Sequence, residues 1–403
     1  MNNYINNFSI DAVYTWVDMS DEKWIKKYYS VNRRYPESLR YKNYGELEFS
    51  VKLLLKNCKF IRNIYIVTDD QIPNWFNKED YPTITIVDHS EILDNRCSIP
   101  TFKSDSIEAY LYRIPNLSEY YLYLNDDTFI GAPCNIYNFF DRSLHPIARF
   151  VSCSLNNNIK LNAISGRAYP RAASLTNSMN CVKRVFKNHY NLSPLHQVSI
   201  LCKSMSELAW KLFPSELERS VKFPTRNPIN DTISFTLLSL LLGISTKKMK
   251  AEINNFSIKI YSNYSLSKGG ASFNFNKILR TKPQLFCIND INDYIFPLFK
   301  QFIQLYLSVP NLSVPVPNSN NKINETNMQI INKKNINRIN INKNIINKRI
   351  IQNNSINNKK LITYNQPVFT PRNQLTIYKP NIQRSVINHY KNPIPPSRPI
   401  VFQ

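Results

Sequence analysis

Four short runs of apolar and β-branched residues punctuate the first 135 positions of the chain. Ile10 to Val17 is compact and apolar, the pattern of a buried strand. Asn63 to Thr68, Thr83 to Val87 and Tyr120 to Leu124 read as three further strands. Between them the period changes. Leu47, Val51, Leu54 and Leu55 recur at helical spacing within Glu46 to Asn57, and Ile107 and Leu111 share one face of a helix predicted over Ser104 to Tyr112. Strands alternating with helices predict an α/β fold, with a mainly parallel sheet flanked by helices.

After residue 135 the pattern loosens into a stretch, to about Gly243, that reads as a helical insertion. Helices are predicted over Ser206 to Phe213, Thr232 to Leu242 and Asp293 to Leu307, and strand and turn over Tyr261 to Phe275. Pro310, Pro315 and Pro317 close a domain of 317 residues, an α/β half over 1–135 and a mostly helical half over 136–317. Residues 318–360 are Asn/Ile/Lys-rich and predicted to be a disordered linker, and 361–403 form a Pro-containing basic tail.

The net charge of +23 points at first to a polyanionic partner. Its location weakens that reading. Residues 318–403 hold 14 Lys/Arg and one acid, Glu325, which leaves +10 for the first 317 residues. That surplus suits a phosphate-bearing substrate equally well, and the tail is expected to bind polyanions weakly at most. The seven cysteines form no CxxC pair and no zinc spacing, which predicts free thiols in a reducing compartment. The N-terminus lacks a basic region followed by an apolar stretch, and the longest apolar run, near Phe235 to Ile244, is too short to span a bilayer. A soluble, cytoplasmic protein is the expectation.

Acids follow each of the four strands: Asp18 after the first, Asp69-Asp70 after the second, Asp88 after the third and Asn125-Asp126-Asp127 after the fourth. Ligands of open parallel sheets bind beyond the carboxyl ends of the strands. Acids gathered there need a cation, and carboxylate ligands favour Mg²⁺ or Mn²⁺. Helix capping or turn formation is the alternative for Asp69, Asp70 and Asp88. Asp126 and Asp127 are the expected metal ligands, in the setting where GT-A-type nucleotide-sugar enzymes carry an Asp-x-Asp element.

These residues resemble a known family. Ile10 to Asp18, with Asp21 and Trp24, is similar to the first conserved region of the Stealth proteins. Arg40 to Leu47, Ile61 to Asp69, Gln71 to Trp75, Val87-Asp88-His89, Pro100-Thr101-Phe102, Ile107-Glu108, Arg113-Ile114 and Tyr123 to Asp127 resemble the second. His196, Phe213-Pro214, Arg226 and Asp231 resemble a degraded third region, and Cys287 to Asp290 the fourth. The chain departs from the family at His196-Gln197-Val198, where the family has His-x-Pro, at Glu48 in place of Arg and at Lys103 in place of Asn.

The resemblance implies a GT-A or Rossmann-like fold and transfer of a hexose 1-phosphate from a UDP-sugar to a hydroxyl of a glycan or polysaccharide, with release of UMP. It implies catalytic roles for Asp18, His196, Arg113, Arg226 and Asp231, with His196 the general base and the arginines on phosphate. It places Trp16, Arg40, Glu46, Asp69 and Asn125 around the donor, with fastening of the first helix the alternative for Arg40 and Glu46. For Arg113 the alternative is an ion pair with Glu108 or Glu119. Two other readings stay open from sequence: a metal-dependent glycosyltransferase releasing UDP, and a non-catalytic glycan or polyanion binder.

Overall fold

The alternating first third of the chain folds as its pattern requires. In a computed structural model, residues 8–153, 170–226, 233–263, 270–289 and 291–308 are described. The linker and basic tail lie outside the described residues, as do Asp231 and Asp290.

Strands β1 (Ile10–Thr15), β2 (Ile61–Thr68), β3 (Ile84–Asp88) and β4 (Tyr120–Asn125) are mutually parallel, and β8 (Ser199–Cys202) joins β4 antiparallel. The order is β3-β2-β1-β4-β8. β1 is central and buried on both faces, which explains its continuous apolar run. The exception is Asp11, fully buried in the middle of that run. Its carboxylate accepts two bonds from Arg62 at 3.0 and 2.7 Å, one from the Asn63 amide at 3.1 Å and one from the Ser118 amide at 2.7 Å. Four hydrogen bonds, two of them from a charged guanidinium, compensate a desolvated carboxylate.

The longer helices pack on this sheet, on one another or, for the first of them, against Phe102. They are α1 (Glu22–Asn32), α2 (Glu46–Asn57), α3 (Ser104–Glu108), α4 (Pro170–Phe186), α5 (Lys203–Leu212), α6 (Pro214–Val221) and α7 (Phe235–Ser245). α7 is apolar all round because it is buried, not because it spans a membrane. Among the described residues no helix is long and apolar enough to cross a bilayer.

Two smaller sheets extend the scaffold: β7-β6-β9 (Leu192–Pro194, Ile147–Ser152, Lys250–Ile253) and β10-β11-β5 (Ile260–Asn263, Leu285–Ile288, Thr128–Ile130). The middle of the chain is therefore less helical than its sequence predicts, since β6, β7 and β8 all fall inside it. The segment predicted as strand and turn ends instead in helix α8 (Ala271–Thr281), whose Ala271, Phe275 and Ile278 are buried at helical spacing. The helix predicted over Ser104 to Tyr112 breaks into α3 and a 3₁₀ turn, Leu111–Arg113.

A second core joins β5 and β11 to α2, α8 and the last described helix, α9 (Phe296–Ser308). Phe129 stacks on Phe286 at 4.8 Å and Phe275 on Phe302 at 4.9 Å. The seven cysteines form no disulfide. The architecture is α/β and GT-A-like.

Candidate active site

At Asn125 the chain leaves the main sheet, and three residues later, at Thr128, it enters β5 of another. Asp126 and Asp127 occupy that step. The turn is fixed on both sides. Thr128 Oγ1 donates to the Asn125 carbonyl at 2.8 Å, Ser50 Oγ of α2 donates to the Thr128 carbonyl at 2.6 Å, and the Ile288 amide of β11 donates to the Asp127 carbonyl at 3.0 Å. Strand-end acids on such a frame are held close together whatever their repulsion.

Glu46 meets them from the first turn of α2. Its carboxylate accepts the Tyr44 amide at 2.6 Å, and the preceding Gly45 adopts φ 93°, a left-handed conformation that suits glycine. Asp18 closes the group. Its Oδ2 accepts from Asn43 at 3.1 Å and its Oδ1 from the Ser20 amide at 2.8 Å, and Gln71 clamps its backbone from both directions. Asn43 in turn accepts from the Gly45 amide at 2.9 Å, so one short loop ties Asp18 to the start of α2.

The electrostatics report the crowding. Burial, reinforced by Asp127 and Asp18, pushes the Glu46 carboxyl up from 4.5 to about 7. Burial, with Asp127 and Glu46 adding repulsion, holds Asp126 well above the ordinary carboxylate range. Asp127 Oδ1 is a buried acceptor with no hydrogen-bond partner among the described residues. An orphaned carboxylate oxygen beside two acids that resist ionisation is the signature of a cluster that fits a divalent cation.

His196 stands on the other oxygen of Asp127, with Nε2 3.1 Å from Oδ2. It precedes β8, whose register sets Ser199 opposite Tyr123 on β4. Burial disfavours the imidazolium, but the Asp127 carboxylate outweighs it and raises the pKa above 6.5.

A cleft of about 100 Å³ opens beside His196, lined among others by Asn125, Glu108, Arg171 and Arg226. Arg226 donates to Ser104 Oγ at 2.8 Å and lies 3.6 Å from Asp105. Glu108 is buried, takes a bond from Thr236 at 2.7 Å and meets Tyr123 Oη at 3.2 Å; Tyr123 also donates to Asn125 Oδ1 at 2.9 Å. Burial, then the nearby Asp105, lifts the Glu108 carboxyl to about 7. Glu108 and Tyr123 fall in the segments that resemble the second conserved region but were given no site role from sequence, and Arg171 was not singled out. Glu108 carried a signal, an acid one position from the apolar stripe of a short helix; Arg171 carried none.

The other predicted residues have partners of their own or lie outside the described residues. Arg113 is a correction: its guanidinium donates to Asp94 at 2.9 Å and lies over the Tyr110 ring, so its partner is neither a phosphate cleft nor Glu108 or Glu119. Asp69 pairs with Lys27 at 3.0 Å. Asp88 caps the one-turn helix His89–Ile92, its carboxylate accepting from the Ser90 amide while its own amide donates to the Glu91 carboxylate. Asp70 is a left-handed turn residue, φ 56°. The expectation that all four strand ends feed one acidic cleft therefore holds for two of them. Arg40 is exposed, with its guanidinium 5.3 Å from the Tyr41 ring, and Trp16 is buried with its Nε1 unpartnered among the described residues. Asp231 lies outside the described residues.

Residues 8–35 match the sequence model of Stealth protein CR1, conserved region 1, and residues 40–147 that of Stealth protein CR2, conserved region 2. The chain is 34% identical over 317 residues to the capsular polysaccharide phosphotransferase fcs1 of Haemophilus influenzae, an alignment covering 74% of this chain and 83% of the relative. It is 33% identical over 303 residues to the capsular polysaccharide phosphotransferase LcbA of Aeromonas hydrophila, covering 71% and 80%. Over 137 residues it is 42% identical to the exopolysaccharide phosphotransferase SCO6023 of Streptomyces coelicolor, covering 33% of this chain and 23% of that one.

Proposed function

This chain belongs to the Stealth family and is a phosphotransferase, and from that premise we propose that it moves a hexose 1-phosphate from a UDP-sugar to a hydroxyl of a polysaccharide, forming a phosphodiester and releasing UMP. The observation that supports the reading best is the joint placement of the unpartnered Asp127 Oδ1 and of His196 on one carboxylate.

Asp126 and Asp127 would hold Mg²⁺ or Mn²⁺, with Asp18 and Glu46 completing the negative shell; such an ion neutralises pyrophosphate oxygens and developing charge. The chain's own residues do the rest. Asp127 accepts the Nε2 proton of His196, and that tautomer leaves the Nδ1 lone pair to take the proton of the attacking hydroxyl. Arg226 and Arg171 line the cleft next to the imidazole, where guanidinium groups suit a phosphate. Asn125, fixed by Tyr123, orients polar groups of a bound sugar or nucleotide. Transfer without the phosphate would release UDP in place of UMP.

The test is direct. Purified protein is incubated with UDP-sugars, Mg²⁺ or Mn²⁺ and a polysaccharide acceptor, and the released nucleotide is identified. UMP is expected, and UDP would refute phosphotransfer from this donor. Asp127→Asn should abolish transfer and weaken metal binding while folding normally; activity near the parent level would remove Asp127 from the metal site.

A further inference from the structure

The acids around Asp126 are oxygen donors, but the opposite side of Asp127 is different. Asp127, His196 and Cys287 each offer one ligand atom, and the three atoms lie within 4.8 Å of one another. They come from three fixed elements: the β4–β5 turn, the segment entering β8, and β11. Asp127 and Cys287 are locked together by backbone, since Cys287 is in register with Thr128 and the Ile288 amide bonds to the Asp127 carbonyl. His196 already touches Asp127 at 3.1 Å.

We propose that Asp127, His196 and Cys287 form a binding site for a borderline-soft cation, with Zn²⁺ the natural occupant, distinct in ligand chemistry from an oxygen-only site for Mg²⁺. One carboxylate, one imidazole and one thiolate is a zinc donor set, and three protein ligands leave a fourth position for water. Donor atoms around a tetrahedral zinc stand about 3.3–3.6 Å apart, so side-chain movements of about 1 Å complete the site. Mg²⁺ gains nothing from sulfur and prefers oxygen. On binding, the Cys287 thiol loses its proton to solvent and the thiolate takes its place on the ion.

Occupancy has a consequence for His196. Coordination through Nε2 replaces the hydrogen bond to Asp127 and forces the remaining ring proton onto Nδ1. A ring in that state cannot accept a proton from an attacking hydroxyl. Zn²⁺ is therefore an inhibitor of transfer, an effect that rests on the proposed roles of His196 as base and Asp127 as Mg²⁺ ligand, whereas the site itself does not.

The test uses the full chain, stripped of metal and titrated with Co²⁺ as a spectroscopic stand-in. A thiolate-to-cobalt charge-transfer band is expected to saturate at one equivalent, to disappear on adding Zn²⁺ and to be absent in Cys287→Ala. His196→Gln should retain the band but weaken cobalt binding by about ten-fold or more, which serves if the alanine variant does not fold. No thiolate band in the parent protein, or an unchanged band in Cys287→Ala, would overturn the site. In parallel, Zn²⁺ is added to Mg²⁺-supported transfer; inhibition reversed by chelation is expected. A normal cobalt band with no inhibition by Zn²⁺ would keep the site and overturn His196 as the base.

Discussion

Glu46→Gln tests whether the acid cluster is built around a cation. Glu46 is 7% exposed, and burial with two neighbouring carboxylates sets its carboxyl at about 7 in place of 4.5. In metal-free protein this acid stays protonated when folded at a pH where the unfolded chain has already ionised it. Folding stability therefore falls as pH rises from 4.5 through about 7 and stays low above it. The full loss is about 3 kcal/mol, and about 2 kcal/mol of it is incurred between about pH 5.5 and about pH 8. Glutamine keeps the carbonyl that accepts the Tyr44 amide but cannot ionise. In urea denaturation with chelator present, the variant should gain on the parent by about 2 kcal/mol from the lower pH to the higher. Adding Mg²⁺ or Mn²⁺ at the higher pH should then restore the parent more than the variant, because only the parent presents the extra charge. A stability difference that is flat with pH would show that Glu46 is not strained by its neighbours and would remove it from the cation's shell.

His196→Gln should lower kcat by about 10²–10⁴-fold with little change in donor binding by calorimetry. Gly131→Ala should destabilise by about 1–3 kcal/mol in thermal denaturation, because a Cβ there would lie 2.5 Å from Tyr306 Oη and 2.6 Å from Phe286 Cε1. Arg113→Ala should leave transfer within about two-fold of the parent, as its partner is Asp94, whereas Arg226→Ala should lower kcat/KM by at least about ten-fold, consistent with loss of a charge-assisted contact to phosphate. Equal losses in the two variants would refute this assignment of the arginines.

The parallel sheet was legible because its central strands are buried on both faces and so run largely apolar, Asp11 of β1 being the exception. β7 was not: three residues ending in Pro194 give no period to read, and proline is tolerated there because the strand lies at a sheet edge. Among the strand-end acids, Asp18 and Asp88 look alike in isolation. What separates them is local. Asp88 is followed three residues later by Glu91, the spacing of a capping box, and the structure completes that box. Asp126 and Asp127 have no such partner and precede another strand, so no helix amides satisfy them. The resemblance placed Glu46 around the donor, but its convergence on this pair was not readable, since nothing in the spacing of α2 says which way its first turn points.

His196 shows why the second half of the site resists reading from sequence. It lies 69 residues from Asp127, and what unites them is the β4–β8 ladder. Register in such a ladder is strict: a slip of one residue moves a strand by about 3.4 Å and turns its side chains to the other face. With Tyr123 opposite Ser199, the acid step beyond β4 and the approach to β8 lie at the same end of the sheet, because the strands are antiparallel. A parallel partner would have put the residues preceding β8 at the far end, about the length of the strand away. The antiparallel edge is thus what brings His196 to the acids at the carboxyl ends of the parallel strands, and it makes the buried apolar residues of β8, Ile200 and Leu201, part of what positions the imidazole.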